Sequence, residues 1–248
     1  MTGEKTQFLT SPDGAAIAYR RLSGAGPTVV WLGGFRSDMT GTKAQALADA
    51  CASAGRGFLR FDYFGHGESD GNFARGTISR WRADALAVID ALTSGPLILV
   101  GSSMGGWIAT LAALARPDRL HALVLIAPAH DFTDRLIRPG LPPDALAALA
   151  SVGRWTRPSA YGDGEYVITQ GLLDDGAGWN VLDAPIVLGA PVRILQGMDD
   201  PDVPWTHALA VTQAFTGPDL RLTLIKDGDH RLSRPQDIAL LLETVLAL

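Results

Sequence analysis

One stretch, residues 97–114, constrains the fold of this chain more than any other. It opens with the apolar run Leu-Ile-Leu-Val, passes through Gly-Ser-Ser-Met-Gly, and continues with apolar residues at helical spacing. A short apolar run behind Gly-Pro is typical of a strand buried on both faces of a parallel sheet. The stretch therefore predicts a strand, a tight turn and a helix.

The turn fits the pattern Gly-x-Ser-x-Gly, which holds its serine in a strained conformation at the carboxyl edge of a sheet. Side chains at positions 101 and 105 would clash where the strand reverses, so both must be glycine. Ser103 occupies the tip, whereas Ser102 has no glycine two positions away on either side. Free N–H groups at the start of the helix would stabilise an anion above the tip. We interpret Ser103 as a nucleophile.

The composition of the 248 residues limits the class of protein. With 47% hydrophobic residues the chain can bury a full core, and we expect one domain over residues 1–248. The net charge of −5, without a Lys/Arg run, argues against a nucleic-acid partner. Cys51 is the only cysteine, so it cannot form an internal disulfide and is expected to pack as a small hydrophobe.

Other classes are disfavoured by motifs that the sequence lacks. No stretch reaches the roughly eighteen apolar residues of a membrane span, and the first residues lack the apolar region of a signal peptide. We therefore expect a cytoplasmic protein. No dinucleotide fingerprint, phosphate loop or Cys/His ligand set occurs, so we expect neither a cofactor nor a metal. The sequence leaves the oligomeric state open.

Strand and helix patterns alternate along most of the chain, which predicts the α/β class with a mostly parallel eight-stranded sheet and helices on both faces. The predicted strands cover residues 7–9, 15–21, 28–32, 57–61, 97–100, 122–126, 192–195 and 220–225. Besides the helix after the serine turn, helices are predicted at residues 42–54, 78–92, 205–215 and 235–246.

The alternation breaks between residues 129 and 188. This insertion shows no clear strand and contains two helix-like segments, at residues 143–152 and 165–173. An insertion after the carboxyl end of a strand is well placed to cover the serine turn. We therefore predict a small helical lid.

A serine hydroxyl needs a base within hydrogen-bond reach and a third group that orients the base. Of the five histidines, only His230 lies in the loop after the last strand, at the edge of the sheet where Ser103 lies. The orienting acid is expected in the loop after residues 192–195, where Asp199, Asp200 and Asp202 are candidates. His66, together with Glu68, lies in a Gly-x-Gly loop that we interpret as structural.

An oxyanion needs two backbone donors, and the second should come from the loop after residues 28–32, where two glycines permit close approach. We assign the N–H groups of Phe35 and Met104. Apolar residues near these loops are candidates for binding the substrate: Met39, Trp107, Trp155, Met198 and Trp205.

These motifs, in the order serine, acid and histidine, resemble the α/β-hydrolase superfamily over nearly the whole chain. More narrowly, the chain resembles the branch of the mitochondrial acyl-protein thioesterase that is also described as a mycophenolic acid acyl-glucuronide esterase. The narrower resemblance rests on residues 39–44, 60–63, 105–107, 197–198, 203–205 and 229–231, and on Trp155, Pro158, Ser159 and Tyr161 in the insertion.

The resemblance implies that Ser103, Asp200 and His230 are the family's nucleophile, acid and base. Asp200 is favoured because it lies three residues after Gly197 and three before Val203, as the acid does in the family. A serine hydrolase of carboxylic esters or thioesters follows, acting through an acyl-enzyme on a small-molecule or acylated substrate such as a thioester or acyl glucuronide. One departure, Gln196 where the family has histidine, is expected to affect only loop packing.

Three other functions use the same scaffold. An acyltransferase would pass the acyl group to an alcohol or amine, a non-catalytic binding protein would not turn over, and a peptidase would cleave amides. A dehalogenase is disfavoured because it would carry aspartate in place of Ser103.

Overall fold

Strands form the centre of the computed structural model, which describes residues 4–158 and 165–248. In chain order they are β1 (Gln7–Thr10), β2 (Ala16–Leu22), β3 (Ala25–Leu32), β4 (Arg56–Phe61), β5 (Leu97–Ser102), β6 (Leu120–Ile126), β7 (Arg154–Pro158), β8 (Glu165–Thr169), β9 (Val192–Gly197) and β10 (Leu220–Ile225). Eight of them form one sheet in the order β1-β2-β4-β3-β5-β6-β9-β10. Pairs β1-β2 and β2-β4 are antiparallel, and every other neighbouring pair in this sheet is parallel.

Helices cover both faces of this sheet. They are α1 (Thr42–Ser53), α2 (Ile78–Leu92), α3 (Met104–Ala115), α4 (Pro143–Val152), α5 (Gln170–Ala177), α6 (Trp205–Ala214) and α7 (Pro235–Leu246). Alternate residues of β5 face opposite sides, so Leu97 and Leu99 pack with α2 and α3, while Ile98 and Val100 pack with α1 and α7. Because both faces of β5 are buried here, successive residues from Leu97 to Val100 must all be apolar.

The strands and helices predicted outside the insertion are confirmed. Helices α2 and α7 and strand β10 match the prediction at both ends. Cys51 is fully buried against the α1 face of the sheet, as a small hydrophobe would be.

The insertion at residues 129–188, which we call the lid, contains both strands and helices. The prediction that it is purely helical is therefore wrong. Helix α4 matches the prediction at both ends, but residues 165–169 form strand β8, and α5 begins only at Gln170. Strand β8 is aromatic and β-branched and pairs antiparallel with β7, with Trp155 opposite Ile168. The Thr169 hydroxyl then caps α5 by accepting from the N–H of Leu172 at 3.1 Å. Ser159 and Tyr161 lie outside the described residues.

The order of the strands in the sheet determines where the candidate site lies. Strand β4 pairs with one edge of β3 and β5 with the other, so the chain changes direction between β3 and β5. Loops that follow the carboxyl ends of strands at such a switch point enclose a crevice, and ligands bind there in open α/β sheets. The serine turn and the Gly33-Gly34 loop both open into this crevice.

Candidate active site

Ser103 lies at the tip of the turn between β5 and α3, with φ 55° and ψ −122°. A positive φ is strained for a residue with a side chain. A Cβ at Gly101 would collide with the carbonyl group of Gly105, and a Cβ at Gly105 with that of Leu32, so the turn requires both glycines. The Ser103 N–H donates to Ile126 O at 2.9 Å, which fixes the strained residue at the edge of the sheet.

Three side chains from three loops form a hydrogen-bonded chain at this edge. His230 Nε2 lies 3.1 Å from Ser103 Oγ, and His230 Nδ1 lies 2.8 Å from Asp200 Oδ2. The Asp200 side chain is fully buried, and that of His230 is 15% exposed. When Nδ1–H donates to the carboxylate, Nε2 of the neutral ring can accept the proton of the serine hydroxyl. The structure thus brings together the three residues that the sequence predicted as nucleophile, base and acid.

Of the three candidate acids, Asp200 places its carboxylate 2.8 Å from His230 Nδ1. Its Oδ1 accepts from the N–H groups of Asp202 and Val203, each at 2.8 Å. Asp199 is exposed and Asp202 is half-buried. Oxygen and nitrogen atoms of Asp200, Asp202 and His230 that could bind a metal ion lie within 4.8 Å of one another. The Asp200 carboxylate, however, already accepts hydrogen bonds from the two backbone N–H groups and the imidazole.

Gln196 contacts the acid directly, so the expectation that it affects only loop packing is wrong. It is fully buried at the end of β9, and its Nε2 lies 3.2 Å from Asp200 Oδ2. The same Nε2 lies 2.9 Å from Gly197 O and 3.0 Å from Val203 O. Gln196 therefore holds both ends of the acid loop and the carboxylate between them.

The loop after β3 lies against the serine turn. A Cβ at Gly34 would lie 3.2 Å from Ser102 O and 3.3 Å from Ser103 Cβ, which is tighter than ordinary contact. Phe35 follows this close approach, and Met104 opens α3, where the first N–H groups have no acceptor within the helix. The two predicted oxyanion donors therefore come from backbone segments that meet beside Ser103.

His66 fixes the far end of this loop. It is buried, and its Nε2 accepts from the N–H of Arg36 at 3.2 Å, while its Nδ1 lies 3.2 Å from Phe64 O. Arg36 has a φ of 60°, a conformation that the bond to His66 helps to hold. Burial lowers the pKa of His66 to about 4, and the positive charge of Arg36 acts in the same direction. Its role is structural, as predicted, and Glu68 pairs with Arg20 at 3.1 Å.

We expect His66→Ala to destabilise the fold by about 2–4 kcal/mol and to lower kcat/KM by about tenfold or more. The substitution leaves a cavity, removes the acceptor of the Arg36 N–H, and loosens the loop that carries Phe35. Urea denaturation and ester hydrolysis measure the two effects. His66→Gln places an amide oxygen near the position of His66 Nε2, where it can accept from the Arg36 N–H. This variant should therefore lose less stability and less kcat/KM than His66→Ala.

The wild-type protein should also exceed His66→Gln in free energy of unfolding by less at acid pH than at neutral pH. Because the folded-state pKa is about 4 against 6.5 for an ordinary histidine, only the unfolded chain takes up this proton between those values. Stability from the neutral imidazole is therefore complete above about pH 6.5 and is lost as the pH falls towards 4. If the free energies of unfolding of wild type and His66→Gln differed equally at about pH 8 and about pH 5, the buried ring would not be neutral.

The serine turn opens into a cleft of about 590 Å³ with two unlike sides. The side towards the lid is apolar and includes Phe35, Met104, Phe132, Leu136, Ile137 and Ile168. The side towards α1 and the histidine loop is polar and includes Trp31, Asp38, Thr42, Lys43, Arg231 and Ser233. Ser103 and His230 line the same cleft.

None of the five apolar residues predicted to bind substrate lines this cleft. Met39 is fully buried, and its N–H donates to Asp62 Oδ1 at 2.6 Å, so it belongs to the support of the β3–α1 loop. Trp107 is also fully buried, and its Nε1 donates to Trp179 O at 3.2 Å, which places it in the core between α3 and the lid.

The other three predicted substrate contacts are also absent from the lining of the cleft. Trp155 packs against Leu149, Ile168 and Leu173 within the lid. Met198 is half-buried in the acid loop, where its N–H donates to a carbonyl of β10. Trp205 is half-buried as the first residue of α6. Apolar character and nearness in sequence to a catalytic loop did not identify the lining residues.

The apolar lining comes mainly from the lid, and part of it has a signal in the sequence. Tyr166 and Ile168 are two residues apart on β8, so they share a face, and both line the cleft. The Phe35 ring lies 5.8 Å from those of Phe132 and Tyr166, which joins the oxyanion loop to the lid. The period-two pattern of residues 165–169 would have revealed this face if the segment had been interpreted as a strand.

Comparison with known proteins places the chain in a family. A family model described as serine aminopeptidase, S33, matches residues 27–172. The rat protein named palmitoyl-protein thioesterase ABHD10, mitochondrial, is 40% identical over 239 residues, which cover 96% of this chain and 80% of the relative. The chain belongs to the ABHD10 branch of the α/β-hydrolases. The suspected superfamily and branch are thus confirmed.

Solved structures of α/β-hydrolases agree with this assignment. A structure from Agrobacterium vitis S4 is 46% identical with a TM-score of 0.95 and covers 98% of each chain. Mouse α/β-hydrolase domain-containing protein 10 is 39% identical with a TM-score of 0.90, covering 98% of this chain and 97% of the mouse chain. The fold class is confirmed, and this α/β-hydrolase is an enzyme that hydrolyses esters or thioesters.

Two findings bear on where this α/β-hydrolase is located. Within residues 4–158 and 165–248, no helix combines the length and the apolar character that crossing a bilayer requires. The rat and mouse relatives are named as mitochondrial, so the cytoplasmic location stays a prediction from the sequence.

Proposed function

We propose that this α/β-hydrolase cleaves acyl thioesters and esters through an acyl-enzyme on Ser103, with His230 as base and Asp200 as the orienting acid. The observation that carries the proposal is the continuous bonding from Ser103 Oγ to His230 at 3.1 Å and from His230 to Asp200 at 2.8 Å. The strained turn holds the hydroxyl in the wall of the cleft, where a substrate carbonyl can approach it.

In the first half-reaction, His230 Nε2 accepts the hydroxyl proton while Ser103 Oγ attacks the carbonyl carbon. The N–H groups of Phe35 and Met104 donate to the oxyanion. The bond from carbon to the leaving sulfur or oxygen then breaks, and His230 gives its proton to the leaving group. In the second half-reaction His230 deprotonates water, which attacks the acyl-enzyme and releases the acid.

The apolar side of the cleft is suited to the acyl group. Phe132, Leu136 and Ile137 from the lid line it beside Ser103, and each methylene that they cover stabilises a bound chain by about 0.8 kcal/mol. The relatives named palmitoyl-protein thioesterase support a fatty acyl group as the moiety transferred to the serine. An acylated protein or a small acyl thioester would both present this chemistry.

The test uses N-acetylcysteamine thioesters and p-nitrophenyl esters with acyl chains from acetyl to palmitoyl. We expect kcat/KM to rise at least about tenfold from acetyl to octanoyl, because two buried methylenes already suffice for that factor. Quenched reactions should show one acyl group on the peptide that contains Ser103, by mass spectrometry. Leu136→Ala should weaken the preference for long chains, whereas Leu146→Ala, on the exposed surface of α4, should not.

Two outcomes would contradict the proposal. Hydrolysis without any acyl adduct on the Ser103 peptide would exclude the acyl-enzyme. A product mixture dominated by transfer to an added alcohol, with little free acid, would instead identify an acyltransferase.

A further inference from the structure

One peptide group in the loop after β3 carries a predicted oxyanion donor. It joins Gly34 to Phe35, and its N–H is the one that we assign, with that of Met104, to the oxyanion. The peptide group is planar and trans, so its N–H points opposite to its C=O. Whatever holds the Gly34 carbonyl therefore also sets the direction of the Phe35 N–H.

Ser37, an exposed residue that lines the cleft, holds this carbonyl with two donors. Its Oγ donates to Gly34 O at 2.8 Å, and its backbone N–H donates to the same oxygen at 3.1 Å. The hydroxyl fits tightly against the loop, because a Cβ at Gly33 would lie 2.9 Å from Ser37 Oγ. A hydroxyl has one proton, so this bond commits it to the carbonyl and leaves none to donate to a substrate.

The glycine before this peptide makes such an anchor necessary. Gly34 lies against the serine turn, where a Cβ would come within 3.3 Å of Ser103 Cβ. Glycine permits backbone angles that other residues exclude, so the peptide after it can rotate at low cost. In the rotated form a carbonyl oxygen would replace the N–H beside Ser103 and repel a developing oxyanion. The two hydrogen bonds from Ser37 stabilise the other orientation.

The Phe35 side chain is held separately, by aromatic rings. Its ring meets those of Phe73 and Trp81 edge-on, with centroids 4.8 Å and 5.8 Å away. Trp81 is fully buried in α2, so this ring lies in the core. These contacts fix the side chain but not the peptide before it, because rotation of that peptide leaves the two Cα atoms in place. The hydrogen bonds from Ser37 restrict the freedom that remains.

We propose that Ser37 is a positioning residue for the oxyanion hole: its hydroxyl holds the Gly34 carbonyl so that the Phe35 N–H stays aimed at the oxyanion. The proposal rests on the acyl-enzyme function above, with Phe35 as a donor. Ser37 takes and gives no proton in the reaction. Donors that are already oriented need no reorganisation when the charge develops, so their orientation affects the rate. A carbonyl that accepts two hydrogen bonds also polarises its peptide, which strengthens the N–H as a donor.

Ser37→Ala is expected to lower kcat for the octanoyl thioester of N-acetylcysteamine about threefold to tenfold and to leave KM within about twofold. One hydrogen bond contributes a factor of this size, and the oxyanion that it serves forms only as the reaction proceeds. Ser37→Thr keeps a hydroxyl and should recover most of the loss. Ser53→Ala is the matched control, because Ser53 Oγ donates to Asp49 O at 2.9 Å on α1, outside the residues that line the cleft. It should keep the wild-type kcat within about twofold.

Two inhibitors separate the orientation of the donor from binding of the acyl group: octyl trifluoromethyl ketone and octyl methyl ketone. Ser103 Oγ adds to the carbonyl carbon of the first, its proton passes to His230, and the carbonyl oxygen becomes an oxyanion. The methyl ketone has the same alkyl chain but a less electrophilic carbonyl. We expect Ser37→Ala to reduce the preference for the trifluoromethyl ketone, measured as the ratio of the two inhibition constants, about threefold to tenfold. The amide proton of Phe35 should move downfield in the wild-type adduct, and less in the Ser37→Ala adduct.

Three results would count against these proposals, and they can be told apart. If Ser37→Ala weakens both ketones equally, or leaves kcat unchanged, the positioning role is overturned while the acyl-enzyme stays intact. If the Phe35 amide proton does not move in the wild-type adduct, Phe35 is not the donor that Ser37 orients. A wild-type enzyme that neither hydrolyses the thioester nor forms the trifluoromethyl ketone adduct would defeat the proposed function itself.

Discussion

Ser103→Ala is expected to lower kcat/KM for esters and thioesters by at least about 10⁴-fold and to abolish covalent labelling by a fluorophosphonate. Without the hydroxyl no acyl-enzyme can form, and only binding and the oxyanion donors remain to assist attack by water. Alanine keeps the backbone at the same φ of 55°, so the strain of the turn is unchanged. The free energy of unfolding should therefore stay within about 1 kcal/mol of the wild-type value.

Ser102→Ala is the control for this substitution, since it removes a neighbouring hydroxyl at the end of β5. The hydroxyl of Ser102 takes no part in the chain to His230. We expect this variant to keep its activity within about tenfold and to remain labelled. Labelling of Ser103→Ala at the wild-type rate would show that another residue is the nucleophile.

The turn itself was predictable because its physics is local. The close backbone approach at positions 101 and 105 leaves no room for a side chain, so two glycines at this spacing after an apolar strand mark the turn in the sequence. His230 was predictable because the carboxyl ends of parallel strands share one edge of a sheet. The loop after the last strand must then lie on the same edge as Ser103.

The lid and the lining of the cleft were not predictable in the same way. Residues 165–169 become a strand because β7 pairs with them, and that pairing depends on contacts that local propensity does not encode. Gln196 illustrates the same limit, since its contact with Asp200 requires the acid loop to fold back over the end of β9. Trp107 lies two residues after the Gly-x-Ser-x-Gly motif, yet it faces the core, because a helix distributes neighbouring residues to different sides.

Asp200→Asn is expected to lower kcat/KM by about 10³- to 10⁴-fold, although it changes the shape of the side chain very little. Asp200 Oδ1 accepts from the N–H groups of Asp202 and Val203, which can only donate hydrogen bonds. The asparagine carbonyl must therefore stay there, and its NH₂ group faces His230. The imidazole responds by accepting at Nδ1 and carrying its proton on Nε2, where it can no longer take the proton of Ser103.

Asp199→Asn and Asp202→Asn separate this effect from a general loss of acidic charge in the loop. Asp200 is the carboxylate that lies 2.8 Å from His230 Nδ1, so we expect both variants to stay within about tenfold of wild type. Nitrogen chemical shifts of labelled histidine should show a proton on Nδ1 of His230 in the wild-type enzyme and on Nε2 in Asp200→Asn. If Asp202→Asn instead caused the larger loss and the tautomer change, the orienting acid would be Asp202. The hydrogen bonds around Asp200 would then serve only to hold the loop.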